Sequence, residues 1–356
     1  MRDPTNALVA PLFEGPIDVV GDVHGEIEPL RRLLAQLGYD AHGTHPAGRR
    51  LVFVGDLSDR GPDSPAVAEW VMSLVVRSLA QCVLGNHELN ILRNEVKHGN
   101  AWLLDPAAKE HRPGGEFAHC RLAASPWKER YVAFLGTLPV ALERKDLRVV
   151  HAAWLPSEIA ALSEATAGAV DVHEHYRLMT DRLLRMEGVA ERAAVEREAW
   201  RHALHDRHAA VPLLPAIGES DERHQMGNPI RVATSGVERL ASIPFWSAGK
   251  WRMCERVAWW HEYEEPTPVI VGHYWRRHRP IRGSSHAGSK LDLFRDASAT
   301  GWLGARQRVF CVDYSIGGRY EERKAGCAQF DTRLAAMRWP ERELWFESGP
   351  ASSIEP

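Results

Sequence analysis

Three short β-rich runs constrain this chain more than any other feature. Ile17-Asp18-Val19-Val20, Leu51-Val52-Phe53-Val54 and Cys82-Val83-Leu84 each stop at a glycine: Gly21, Gly55 and Gly85. Each glycine opens a polar cluster, GDVHGE, GDLSDRG and GNHE. Helical patterns separate and follow the runs. Residues 26–38 place apolar side chains at helical spacing and end on glycine, residues 64–79 open with Ser then Pro, and residues 87–98 read as helical. Strand and helix therefore alternate, which predicts parallel βαβ units. Ligands of such sheets sit at the carboxyl ends of the strands, where the three clusters fall.

Further along, residues 99–130 read as loop. Residues 139–144 and 147–151 read as a hairpin whose second strand ends on His151. Residues 157–210 are rich in Ala, Glu and Arg and predict helices with solvated charged faces. Residues 211–262 read as irregular and carry Trp246, Trp251, Trp259 and Trp260. Strands return at 268–271, running into Gly272-His273-Tyr274-Trp275, at 308–312, and at 341–347; residues 348–356 read as a disordered tail.

The polar clusters carry the chemistry. Asp56 follows Asp22 by 34 residues and Asn86 follows Asp56 by 30, intervals that suit one βαβ unit each. Asp22, His24, Asp56 and Asn86 should thus converge on one sheet edge, with His151 and His273 delivered by later strands. Oxygen and imidazole ligands without thiolate suit Mn, Fe or Zn at a mixed site. A cation there also explains why two acids, Asp56 and Asp59, crowd the end of a buried strand. The five cysteines are scattered and form no CxxC, which fits reduced thiols in a cytoplasm. A formal charge of −3 gives no case for non-specific nucleic-acid binding. No apolar run approaches the roughly 20 residues of a membrane span, and the first residues show no leader pattern.

GDVHG, GDLSDRG and GNHE resemble the three signature blocks of the phosphoprotein phosphatase family of calcineurin-like metallophosphoesterases, which includes serine/threonine protein phosphatases and bacterial dinucleoside tetraphosphatases. LPVALERKDLRVVHAAW and VGHYW resemble the segments that bring that family's two late histidines. The resemblance implies an α/β fold: a two-sheet β-sandwich flanked by helices, with a core at about 15–154 and 265–347. Residues 155–262 would then be a helical and irregular insertion, or lid, within one domain spanning 1–347. It further implies two divalent cations, Mn first, with Fe, Zn or Mg as alternatives. Asp22, His24 and Asp56 hold one ion; Asp56 bridges; Asn86, His151 and His273 complete the second. His87 is the general acid, Asp59 orients and charges it, and Arg60 clamps phosphate oxygens.

The expected reaction is in-line attack on phosphorus by hydroxide shared between the ions, with His87 protonating the leaving oxygen. In this reading Asp59 has a lowered pKa and His87 a raised one. The main expectation for the substrate is a phosphomonoester such as phosphoserine or phosphothreonine. The alternative is a dinucleoside polyphosphate or other nucleotide, and a third reading is a binding protein that keeps the fold without the chemistry. A further phosphate-binding arginine is common in the family between the late histidines; Arg231, Arg252 and Arg276 are candidates. The PFWSAGKWRM stretch at 244–253 sets aromatics beside Lys250 and Arg252, a packing segment that could also stack a base.

Overall fold

A computed structural model describes residues 7–105, 107–247, 249–278 and 292–351. Strand β1 (Val9–Pro11) precedes the βαβ series: β2 (Ile17–Val20), α1 (Ile27–Leu37), β3 (Arg50–Phe53), α2 (Ser64–Val76), β4 (Ala80–Cys82) and α3 (Asn86–Leu92). Helix α1 buries Ile27, Leu30, Leu33, Leu34 and Leu37, one face at helical spacing, and stops at Gly38 in the left-handed region at φ 92°. Asp63 caps α2 by accepting the Ala66 N–H, and Pro65 occupies its first turn. Helix α3 ends six residues sooner than the helical pattern at 87–98 predicts, because Arg93 leaves the helix and Asn94 turns to φ 52°.

Residues 99–130 are more ordered than expected. They hold α4 (Ala101–Leu104), a 3-10 turn at Lys109–His111 and the first turns of α5 (Ser125–Leu135). The predicted hairpin forms as β5 (Ala141–Arg144) and β6 (Leu147–Val150). The insertion comprises α6 (Pro156–Glu164), α7 (Ala169–Met186), α8 (Val189–Ala199), α9 (Pro215–Met226) and α10 (Pro229–Ser235). It ends in an antiparallel ribbon, β7 (Glu238–Ser247) and β8 (Lys250–Arg256). Residues 211–262 are therefore not irregular: α9 and α10 are short helices opened by Pro215 and Pro229, and the ribbon is half-exposed, so neither shows a long apolar pattern.

The chain closes with β9 (Val269–Val271), β10 (Val309–Cys311), α11 (Arg319–Lys324), β11 (Ala335–Trp339), β12 (Glu343–Phe346) and β13 (Gly349–Pro350). Strand β11 escapes sequence reading because Ala, Met and Arg are weak strand formers; its pairing with β2 supplies the order. Gly349 and Pro350 pair with β12, so the tail is ordered to that point. Residues 352–356 lie outside the described residues.

Two sheets form the sandwich. One runs β1-β5-β6-β9-β10 and the other β13-β12-β11-β2-β3-β4, with β2, β3 and β4 parallel. Val19, Val52, Val54 and Val83 of one meet Leu147, Val149, Ile270 and Phe310 of the other in a core between the sheets. A larger core lies outside them, where Leu30, Leu33, Val67, Val71 and Tyr131 pack helices on the strands. Each fully buried Leu or Val contributes about 1.5–3 kcal/mol. The insertion has its own small core of Ala193, Val211, Leu214, Ile217 and Met253. Helix α10 packs on α3, α6 and α7 and so ties the insertion to the sandwich. Among the described residues no helix is long and apolar enough to cross a membrane.

Candidate metal centre

The parallel strands end in loops that stack directly on each other. A Cβ on Gly55, whose φ is 97°, would lie 2.5 Å from the Gly85 nitrogen, and one on Gly85 would lie 2.2 Å from Asp56 Oδ1. Only glycine permits this approach. Asp22 and His24 follow β2, Asp56 and Asp59 follow β3, and Asn86 and His87 start α3. His151 and His273 arrive from the other sheet, at the ends of the parallel neighbours β6 and β9. Both sheets thus deliver their carboxyl ends to one place.

There, His24 Nε2 stands 3.7 Å from Asp56 Oδ2 and 3.9 Å from Asp22 Oδ2. His151 Nε2 stands 3.4 Å from Asp56 Oδ2 and 3.3 Å from Asn86 Oδ1. His273 Nδ1 is 2.9 Å from Asn86 Oδ1. All of the acids and imidazoles are buried. Two sets of ligand atoms, His24 with Asp56 and His87, and Asp56 with His151 and His273, each fall within 4.8 Å of one another. Asp56 belongs to both sets.

The rings are oriented from behind. His24 Nδ1 donates to the Ser58 carbonyl at 3.0 Å and His151 Nδ1 to the Val54 carbonyl at 2.7 Å, which turns each Nε2 inward. His24, Asp56 and His273 hold φ of 45°, 50° and 69°, left-handed values that cost non-glycine residues on the order of 1–3 kcal/mol each. Burial and the Asp313 carboxylate push Asp22 well up. Burial alone would raise Asp56 too, but the His151 and His87 rings hold it well below the carboxylate range. Burial alone would lower His151, yet Asp56 and Asp22 carry it up to about 10. Asp56 and His151 thus favour their charged forms against the effect of burial. Burial, with the Arg60 and Arg256 guanidinium groups respectively, holds His24 and His273 well down. His273 Nε2 is buried without a hydrogen-bond partner. Inward-facing carboxylate, amide and imidazole atoms, with that orphaned nitrogen, fit borderline or hard divalent cations.

His87 and Asp59 sit beside this cluster. His87 Nδ1 is 2.5 Å from Asp59 Oδ2, and Asp59 Oδ1 accepts the Trp102 indole N–H at 2.6 Å. Burial reverses both expected pKa directions: it pushes Asp59 up to about 8 and His87 down to about 3. Neither group is solvated enough to favour an exposed ion pair, so the pair is favoured as one neutral unit. Arg60, at φ 68°, reaches His87 Nε2 at 3.0 Å and His24 Nε2 at 3.4 Å. Its Cζ lies 5.3 Å from the Trp275 ring centre.

Several supporting residues escape sequence reasoning. Glu88 is fully buried and accepts three backbone N–H groups, from Asp56 at 2.7 Å, Leu57 at 2.9 Å and Gly85 at 3.0 Å. It staples the second polar loop to the third, and burial pushes it up to about 7. An acid at the third helical position of α3 is the signal that could have found it. Asp313 accepts the N–H groups of Trp275 at 2.7 Å and Ser315 at 2.8 Å, fixing the loop after His273. Trp102 carried no local signal.

The three arginine candidates separate. Arg276 is not in the cleft: it is buried and donates to the carbonyls of Cys311, Ser298 and Gly301. Arg231 is half-buried on α10, and burial lowers its pKa. Arg252 is half-buried on β8, with Nε 3.5 Å from the Ser247 carbonyl. Arg256, which the sequence did not single out, is exposed at the end of β8.

A two-sheet sandwich with a metal-fitting cluster at its strand ends has the layout of the metallophosphoesterase fold. Residues 15–176, a little under half of the chain, match the calcineurin-like phosphoesterase family. The match stops before the greater part of the insertion and before His273. Among curated proteins the chain is similar to the asymmetrical bis(5'-nucleosyl)-tetraphosphatase PrpE of Oceanobacillus iheyensis, 37% identical over 145 residues, 38% of this chain and 54% of that protein. It is also similar to the PrpE protein of a Geobacillus species, 49% identical over 105 residues, 27% of this chain and 41% of that one. The chain thus spans about half the length of these relatives, or less. Among solved structures, a cold-active protein-tyrosine phosphatase of a psychrophilic Shewanella aligns with 95% of this chain and 78% of its own, at 13% identity and TM-score 0.43.

Proposed function

We propose that this chain is a metal-dependent phosphoesterase that cleaves the phosphate bridge of a dinucleoside polyphosphate. The observation that carries the reading is the Asp56 carboxylate, shared by two buried ligand sets with Arg60 and His87 beside them. Asp22, His24 and Asp56 would hold one divalent cation, and Asp56, Asn86, His151 and His273 the other. Two such ions, Mn ahead of Fe, Zn or Mg, would supply Lewis acidity that neutralises phosphate charge and makes water acidic near neutrality. Arg60 presents a planar fork across the cluster for equatorial phosphate oxygens, and the Asn86 amide adds a donor. With Arg60 turned from Nε2 to the phosphate, His87 would give its Nε2 proton to the departing oxygen while Asp59, protonated beside Trp102, passes its own proton to Nδ1, leaving a neutral imidazole and a carboxylate.

The relatives' name favours the nucleotide over the phosphoserine or phosphothreonine expectation. The insertion at 155–262 would form the substrate wall or lid. Five free cysteines suit a reducing, cytoplasmic setting. The test is purified protein with Mn, offered diadenosine tetraphosphate and a panel of phosphoserine and phosphothreonine peptides. Turnover of the dinucleotide to ATP and AMP, abolished by chelation and restored by Mn, is expected. Turnover of the peptides with none of the dinucleotide would reject the proposal.

A further inference from the structure

The two late histidines reach the cluster on separate segments, yet one side chain touches the residue after each of them. Trp259, just past β8, is buried, and its indole N–H lies between two acceptors: the Ala152 carbonyl at 3.2 Å and the Tyr274 hydroxyl at 3.1 Å. Ala152 follows His151, and Tyr274 follows His273. A shared N–H of this kind ties both acceptors to one point. The strands beneath are already paired, because β6 and β9 are parallel neighbours and the Gly272 N–H donates to the His151 carbonyl at 2.8 Å. Past that bond the chain has left β9, and the ladder no longer dictates its path at His273.

His273 is the residue that most needs outside support. It sits at φ 69° in the centre of a three-residue turn, closed by the Tyr274 N–H donating to the Gly272 carbonyl at 2.8 Å. The positive-φ form of such a turn is the strained one, and a residue held there costs on the order of 1–3 kcal/mol. It persists only where the surroundings over-determine it. On one side the His273 N–H donates to Asp22, with both carboxylate oxygens at 3.2 Å. On the other side Tyr274 is locked in place. Its hydroxyl accepts from Trp259, its ring stands edge-on to Trp260 with centres 5.2 Å apart, and a Cβ on Gly236 would come 2.4 Å from its oxygen. The Tyr274 and His273 rings are also edge-to-face at 5.2 Å, so the placement of the phenol bears directly on the imidazole.

These contacts belong to the root of the insertion. Gly236 lies between α10 and β7, the Val257 N–H closes the ribbon onto the Val237 carbonyl at 2.9 Å, and the Ala152 N–H donates to the Ala233 carbonyl of α10 at 2.8 Å. The root of the insertion therefore holds both histidine loops, whatever its outer helices cover.

We propose that Trp259 is a positioning residue for the second metal half-site: its indole N–H sets the separation of His151 and His273 so that both ligate the ion they share with Asp56 and Asn86. The inference rests on the two-metal reading above and deepens it. The other half-site draws Asp22, His24 and Asp56 from the ends of β2 and β3 in the opposite sheet, so loss of the indole N–H should spare it.

The experiment titrates the chain with Mn and reads the dissociation constant of each ion by equilibrium dialysis. Electron paramagnetic resonance, read in parallel, distinguishes a spin-coupled Mn pair from isolated Mn. Wild type should take up two Mn and give the coupled spectrum. Trp259→Phe keeps an aromatic ring and removes the N–H donor. It should retain the first Mn and bind the second about tenfold more weakly, the factor that one hydrogen bond carries. Its spectrum should approach that of His273→Ala, which lacks a ligand of the second half-site. Tyr274→Phe, in which the Ala152 carbonyl still accepts, should fall between Trp259→Phe and wild type. If Trp259→Phe fails to fold, as judged by circular dichroism, Tyr274→Phe carries the test with every ring in place. Equal weakening of both ions, or an unchanged second ion, in a folded variant overturns the role of Trp259 and leaves the two-metal reading intact. A wild type that binds at most one Mn rejects the two-metal reading, and the role of Trp259 with it.

Discussion

Replacing Glu88 by alanine should cost far more than the loss of one surface-distant acid suggests. Its two carboxylate oxygens are the acceptors for the N–H groups of Asp56, Leu57 and Gly85, at 2.7, 2.9 and 3.0 Å, and the residue is fully buried. Alanine leaves three buried donors without a partner. An unsatisfied buried donor costs about 1–3 kcal/mol. Water entering the vacated space would recover part of this, so we expect a net loss of about 3–5 kcal/mol. That is a large share of the roughly 5–15 kcal/mol that holds a domain together. Glu88→Gln keeps one acceptor but turns an amide NH2 toward donors, and should fall between wild type and alanine. Glu88→Asp is too short to join both loops. The measurement is urea unfolding of metal-free protein, paired with Mn titration. The lost staple joins the loops of Asp56 and Asn86, so metal affinity should fall in the same order as stability. A Glu88→Ala protein within about 1 kcal/mol of wild type would refute the reasoning.

Three other outcomes follow from the site. His87→Asn should slow hydrolysis of a substrate with a poor leaving group by roughly 10²–10⁴, and nitrophenyl phosphate much less, because only the former needs a proton; steady-state rates on both substrates decide. Asp59, pushed up to about 8, favours its protonated form in the fold. Its contribution to stability is therefore full below the ordinary carboxylate range and lost as pH rises from about 4 towards about 8. Asp59→Asn should gain on wild type across that window, measured by unfolding metal-free proteins at pH 5 and pH 8, and a constant difference would count against it. Trp275→Ala should free Arg60 from the ring 5.3 Å from its Cζ, raising KM for phosphate esters several-fold, with Trp275→Phe close to wild type; equal losses in both variants would point to a folding defect instead.

The polar blocks were legible because their information is local. Asp22-Val23-His24, Asp56 and Asn86 each sit at a strand end, and strand-helix spacing is enough to say that those ends share an edge. The helices at 27–37 and 64–76 were legible for the same reason, through periodicity and caps. Strand β11 was not, since its pairing with β2 spans most of the chain and its Ala and Met carry no strand preference. The ribbon of β7 and β8 was hidden because it is half-exposed and neither apolar nor strictly alternating. Arg276 looked as available as Arg252 in the sequence, but only the packed chain shows its guanidinium consumed by three carbonyls.

From its residues alone, the chain determined which chemical groups are offered and in what order: acids, an amide and imidazoles after glycine-ended strands, with no thiolate among them. Tertiary structure decided how those groups behave. Burial, which no local pattern records, reversed the expected pKa directions of Asp59 and His87, and proximity carried His151 up to about 10. It also decided which arginines remain free to meet an anion, because whether a guanidinium finds a carbonyl or carboxylate depends on segments tens to hundreds of residues away. Residue type and spacing are properties of the covalent chain, whereas dielectric environment and pairing arise only once distant segments are packed together.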